Sequence, residues 1–236
     1  KIVGIKSNGT TTYFYQDVCL AEKLKSAHGH NFPPKTLYLT GAEQENHFRL
    51  LKKLYPYIQH IPLGLVKVSG KKMGTRFGNV IYIEDFIEEI KAGFDSSELN
   101  EEELIKIIYN VFAGFVLRGT PESDKNINMD VMNNPKNSPG LYLSYTMARL
   151  HSAGLSLKHN NKYNFIENEY AYIKAKTKLK PNTLFDAMTN ICNTINAKYG
   201  THMIRDNVEN QKMFSLLLND LCLGCTQLGL FTINKI

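Results

Sequence analysis

Thr36-Leu-Tyr-Leu-Thr40, then Gly41, then a run in which Phe48, Leu51 and Tyr55 recur at i, i+3 and i+7, is the stretch that decides the fold. Five residues of apolar and β-prone character closed by glycine predict a short buried strand, and the spacing after it predicts a helix over 43–57. A strand that feeds straight into a helix is α/β architecture. Further along, 61–68 reads as a second strand and 80–83 as a third, or as a short extended segment. Between those two lies the polar loop Ser69-Gly-Lys-Lys-Met-Gly-Thr-Arg-Phe-Gly-Asn79, rich in glycine and cations. α/β folds put binding chemistry in loops of this kind.

From about residue 92 the pattern turns helical. Asn100 with Glu103 has capping-box spacing, and Leu104, Ile107, Ile108, Val111 and Phe115 form one stripe of a helix over 101–117. Gly119-Thr-Pro121 stops it, and 119–139 reads as a polar loop. Ser138-Pro139-Gly140 reads as a stop signal before a helix over 141–157, and three more helices are predicted at about 165–178, 182–199 and 207–229. The expected fold class is therefore α/β followed by all-α, with residues 1–91 as the first domain and 92–236 as an antiparallel helical bundle. The bundle holds no acid, base or nucleophile cluster, so chemistry belongs to residues 1–91.

Bulk properties are those of an ordinary folded chain: 236 residues, 43% hydrophobic and 21% charged. No apolar run is long enough to span a membrane. The opening Lys-Ile-Val-Gly-Ile-Lys has no signal-peptide layout and reads as the interior of a folded domain, so a preceding segment is expected. A net charge of +6 suits solubility or a polyanionic partner. The four cysteines are scattered, which suits a reducing compartment. Cys222-Leu-Gly-Cys225 has CxxC spacing but no second pair nearby, and buried free thiols are expected there rather than a zinc or redox site. His28 and His30 invite a metal reading, against which an exposed loop is preferred.

Three segments carry chemistry. The loop Lys71-Lys-Met-Gly-Thr-Arg-Phe-Gly-Asn-Val80 combines cations, a hydroxyl and backbone N–H groups that can stabilise charge on phosphates. By itself it reads equally well as a solvated basic hairpin. Gly9-Thr-Thr-Thr-Tyr-Phe-Tyr-Gln-Asp17 sets Tyr13 and Asp17 one helical turn apart. The bland reading is a capped helix with a solvated Asp17. Leu141-Tyr-Leu-Ser-Tyr-Thr-Met-Ala-Arg149 puts Tyr142, Tyr145 and Arg149 on one helix face, where they could stack on RNA or pack against neighbouring helices.

Together these segments resemble the arginyl-tRNA synthetases, class I aminoacyl-tRNA synthetases. The basic loop is similar to their second signature, Lys-Met-Ser-Thr-Arg-x-Gly-Asn-Val. Lys72, Met73, Thr75, Arg76, Gly78 and Asn79 fit it, Gly74 stands for the usual Ser, and Phe77 occupies a frequently basic position. The segment from Gly9 to Asp17 resembles Asp-Gly-Thr-x-x-Tyr-x-x-x-Asp, with Asn8 in place of the first Asp. Tyr38-Leu-Thr-Gly-Ala-Glu-Gln-Glu-Asn-His-Phe48 resembles Val-x-Ala-x-Gln-x-x-His-Phe. The Tyr142–Arg149 helix resembles Pro-Tyr-Leu-Gln-Tyr-Ala-His-Ala-Arg, and the final ten residues resemble the family's closing segment. The motifs occur in family order.

The resemblance implies the second half of a class I Rossmann-type catalytic domain followed by a helical anticodon-binding domain. It implies that Lys72, Thr75 and Arg76 act on the ATP phosphates, that Tyr13, Asp17 and Gln44 hold arginine, and that His47, Met73, Gly74, Gly78 and Asn79 lie at the ATP site. Tyr142, Tyr145 and Arg149 would meet tRNA(Arg). ATP would be a substrate, with Mg²⁺ for which no protein ligand can be read. The implied activity is ATP-dependent ligation of arginine to tRNA in the cytoplasm or an organelle, with no membrane involved. The family's first signature, His-x-Gly-His, does not occur in the sequence. The residues present are thus not expected to form arginyl-adenylate unaided. They would be part of a full enzyme, one half of a split enzyme paired with a separate N-terminal half, or a non-catalytic RNA-binding descendant; the first is preferred.

Overall fold

The structure is a computed structural model, and it describes residues 3–28, 35–74, 78, 80–93, 99–134, 136–156, 161–202, 204 and 207–235. His30, Thr75, Arg76, Phe77 and Asn79 lie outside them, as does the side chain of His28. The chain forms two compact units, Lys1–Leu65 and Val66–Ile236.

In the first unit, α1 (Tyr13–His28) precedes β1 (Thr36–Gly41), a 3-10 turn (Ala42–Gln44), α2 (Glu45–Leu54) and β2 (Ile58–Leu63). The two strands are parallel, in register from Thr36 opposite Ile58 to Gly41 opposite Leu63, so α2 is the crossover of a β-α-β unit. The helix expected over 43–57 is shorter at both ends. It stops at Leu54 because Pro56 disfavours helical torsions at Tyr55, which takes φ −130° and ψ 86°. Ala21, Phe48, Leu51, Tyr55 and Ile58 make a small core, with Phe14, Val18, Tyr38 and Tyr57 packed around it. Alternate residues of β1 face away from that core: Leu39 is 61% exposed and Leu37 42%.

The second unit opens with a strand the sequence ran together with β2. β3 (Val66–Val68) turns through Ser69 and Gly70 into β4 (Lys71–Lys72). Both turn residues have positive φ, 48° and 77°, as a two-residue hairpin turn of type I′ requires. No strand forms over 80–82 among the described residues; Tyr82 is extended, and α3 (Ile83–Ala92) begins where a third strand was one of two expectations. Next comes α4 (Glu101–Leu117), with the predicted capping box in place: Glu103 N–H donates to Asn100 Oδ1 at 2.9 Å, and Asn100 N–H to Glu103 Oε2 at 3.1 Å. The expected loop 119–139 contains β5 (Lys125–Ile127), parallel to β3, and the single turn α5 (Met129–Met132). β3 is the middle strand of this three-stranded sheet.

Helices α6 (Pro139–Ser152), α7 (Ile166–Lys178), α8 (Asn182–Tyr199) and α9 (Val208–Gln227) complete the unit. Ser138-Pro139-Gly140 starts α6 instead of stopping what precedes it. Ser138 Oγ accepts the Leu141 N–H, and Pro139 takes the first helical turn, where its missing N–H costs nothing. Gly140 is required by packing, since a Cβ there would lie 1.8 Å from the Asn110 carbonyl oxygen of α4. α6 ends at Ser152, before Gly154 at φ +90°, five residues short of the expected end. Ile107, Leu141, Met147, Leu150, Phe185, Met188 and Phe214 lie at the centre of a continuous core. The carboxylate of Asp220 is fully buried in α9. It accepts the backbone N–H groups of Asn164 and Phe165 and the side-chain amides of Asn164 and Asn168, which fastens the start of α7 to α9. Cys192, Cys222 and Cys225 are buried free thiols, and burial pushes Cys192 and Cys222 up to about 12.

Candidate functional site

In the first unit the functional candidates gather around the end of β1. Thr12 Oγ1 accepts the Tyr15 N–H at 3.3 Å and so caps α1, which sets Tyr13 on its first turn and Asp17 one turn later. Tyr13 is 83% exposed. β1 ends at Gly41, and the 3-10 turn that follows brings Gln44, exposed, to the start of α2 and His47 to its first turn. His47 Nε2 meets Asp17 Oδ2 at 2.6 Å, and both side chains are about a quarter exposed (24% and 28%). The imidazole is held edge-on by Phe14 and Phe48, with ring centroids 5.4 and 5.0 Å away.

Two further residues belong to this cluster, Tyr38 and His60, neither of them singled out in the sequence. Tyr38 Oη is buried without a hydrogen-bond partner among the described residues. Burial pushes its hydroxyl above its ordinary value, and the charge of Asp17 adds to that. His60 Nε2 lies 3.0 Å from Thr40 Oγ1, and its ring stacks on Phe48 at 4.6 Å. The parallel register sets Tyr38 beside His60, but a register cannot be read before the strand partner is known. A carboxylate, two imidazoles and a phenol gathered beside a parallel strand pair are the groups that can hold a cationic or polar ligand.

The basic loop belongs to the second unit. Lys71 and Lys72 form β4, exposed, and the Gly70 N–H donates to Asn126 Oδ1 of β5 at 2.7 Å, so the hairpin is pinned at its turn. Met73 and Gly74 are half-buried, and the Met73 N–H reaches the Val66 carbonyl at 3.4 Å. Gly78 adopts φ +60°, a left-handed turn that favours glycine. The loop residues Thr75, Arg76 and Asn79 fall outside the described residues.

On α6 the three candidates do share a face, and they also pack. Tyr142 Oη donates to Asn193 Oδ1 of α8 at 3.1 Å. Arg149 Nη1 donates to Asn196 Oδ1 at 2.8 Å, and its guanidinium lies 4.3 Å from the Tyr199 ring and 5.4 Å from that of Tyr145. Tyr145 is 37% exposed. The packing reading of this face is thus met: α8 orders Tyr142 and Arg149, and Tyr145 is the member left exposed. A cavity of about 350 Å³ opens beside Tyr142, over buried Phe185 and between Arg118, Lys136, Asp186 and Asn193. Among the described residues no group of three or more His, Cys, Asp or Glu is placed to hold a metal ion, and no helix is long and apolar enough to cross a membrane.

No family model matches the chain. It is 27% identical over 244 residues to arginine–tRNA ligase 1 of Bacillus thuringiensis subsp. konkukian, covering 90% of this chain and 43% of that protein. To the arginine–tRNA ligase of Oenococcus oeni it is 28% identical over 242 residues, covering 90% and 42%. A shorter match, to the arginine–tRNA ligase of Limosilactobacillus reuteri, is 43% identical over 93 residues, 36% of this chain and 16% of that protein. Among solved structures, Thermus thermophilus arginyl-tRNA synthetase matches all of this chain and 51% of its own, with a TM-score of 0.77 at 16% identity. Plasmodium falciparum arginyl-tRNA synthetase matches 98% of this chain and 46% of its own, at 0.67 and 21%. The chain thus spans less than half the length of the curated relatives that it matches over nine-tenths of its own. In sequence over nine-tenths of its length, and in fold throughout, it is similar to the arginyl-tRNA synthetases.

Proposed function

We propose that this chain supplies the arginine-holding and tRNA-gripping parts of an arginine–tRNA ligase, which activates arginine with ATP and transfers it to tRNA(Arg). The observation that carries this reading is the convergence of Asp17 and His47. The two lie thirty residues apart, come from two separate motifs of the resemblance, and meet at the carboxyl end of one strand. The similarity along nine-tenths of the chain supports it.

In this reading Asp17 pairs with the guanidinium of arginine, Tyr13 adds a hydroxyl or ring face, and Gln44 touches the amino acid. The arginine carboxylate attacks the α-phosphate of ATP and pyrophosphate leaves. Lys72, Thr75 and Arg76 steady the charge that builds on the departing phosphates, and Met73, Gly74, Gly78 and Asn79 shape the loop that closes over them. Mg²⁺ would accompany ATP. Functionally the division falls near residue 91: 1–91 serve activation, and 92–236 grip tRNA through Tyr142, Tyr145 and Arg149 by phosphate contacts and stacking. The exposed Leu37 and Leu39 favour a further part of the catalytic domain seated on β1, on the same polypeptide or on a separate one. Its site of work would be the cytoplasm, in keeping with the free thiols.

The test is arginine-dependent charging of tRNA by the chain alone and joined to a companion carrying the first catalytic half. Charging only with the companion supports the proposal. Absence of charging in both forms, with tRNA still bound, replaces it with a non-catalytic RNA-binding role.

A further inference from the structure

We infer that His47 is a positioning residue for the Asp17 carboxylate, holding it oriented for arginine; this rests on the reading of Asp17 as the partner of the guanidinium. Through the resemblance alone His47 belongs to ATP. Its hydrogen bond belongs to Asp17, at 2.6 Å.

An aspartate on an open helix turn can swing about two side-chain torsions, and each freedom lost on binding weakens a ligand. His47 removes that freedom beforehand. Its Nε2–H occupies Oδ2, and the edges of Phe14 and Phe48 hold the ring. Oδ1 is then the oxygen that, among the described residues, is left to accept a guanidinium N–H. Without the His47 bond the carboxylate must be ordered by the ligand itself, so arginine affinity falls.

The experiment is the KM for arginine, with kcat followed separately, in the charging-competent form defined above. His47→Leu should raise KM about tenfold, with a much smaller change in kcat. His47→Gln, whose amide can still donate to Oδ2, should recover most of the affinity that His47→Leu loses. A His47→Gln enzyme no better than His47→Leu overturns the inference while leaving the arginine reading intact. A His47→Leu enzyme with the wild-type arginine KM does the same. Should no form charge tRNA with arginine, the arginine reading fails and the inference falls with it.

Discussion

The two units stand in contrast. Val66–Ile236 encloses a core that runs through seven helices, satisfies its buried carboxylate with four N–H groups and brings two helix backbones into contact at glycine. Among its described residues, Lys1–Leu65 has five buried core residues and one strand pair with an apolar face turned outward. Yet the carboxylate–imidazole pair lies in the less complete unit. The larger packed core and the carboxylate–imidazole pair thus lie in different units of the chain. Removing a group should therefore cost stability in one unit and ligand binding in the other.

The largest effect is expected from Gly140→Val. With 1.8 Å between its Cβ and the Asn110 carbonyl, α6 must move away from α4, and the second unit should lose about 4 kcal/mol or fail to fold. Circular dichroism against urea reads this, and an unchanged midpoint would refute the close approach. Asp220→Ala leaves the Asn164 and Phe165 N–H groups without their acceptor and should cost about 3 kcal/mol by the same measurement. Asp17→Ala reverses the pattern. Its urea midpoint should stay put, while arginine KM in the charging-competent form rises roughly thirtyfold and the ATP KM changes by less than about threefold. An unchanged arginine KM would remove Asp17 from the pocket. The smallest effect is expected from Leu39→Lys. At 61% exposure it should shift the stability of the chain by less than about 0.5 kcal/mol. The same change should weaken assembly with a companion half, which analytical ultracentrifugation would show.

The sequence was most legible where structure is local. The Asn100–Glu103 box and the bounds of α8 at residues 182–199 stand as expected, because caps and helical period are written within a few neighbouring residues. β5 was not legible. Three residues, Lys125-Asn-Ile127, are too few to show a period, and their partner β3 is remote in sequence. Ser138-Pro139-Gly140 was misread because proline and glycine punctuate both ends of helices. What decides between the ends is the serine hydroxyl and the approach of α4, and only the second is invisible in sequence. At the candidate site both Asp17 and His47 were picked out, but for different ligands. Their mutual hydrogen bond depends on how α1 packs on α2, which no local pattern encodes.

The β3–β5 pair has a consequence in time. Val66 faces Lys125 in a parallel pairing, so α3 and α4 lie within the loop that this pairing closes. Closing a loop of that size is an entropic cost that contacts made earlier must offset, so remote strand pairs come late in folding and are early to open. The hairpin bearing Lys71 and Lys72 is hydrogen-bonded to that pair through Gly70 and Asn126. Its final shape therefore waits on the helices between, and a half-finished chain, on the ribosome or after partial unfolding, carries the lysines without the loop that aims them.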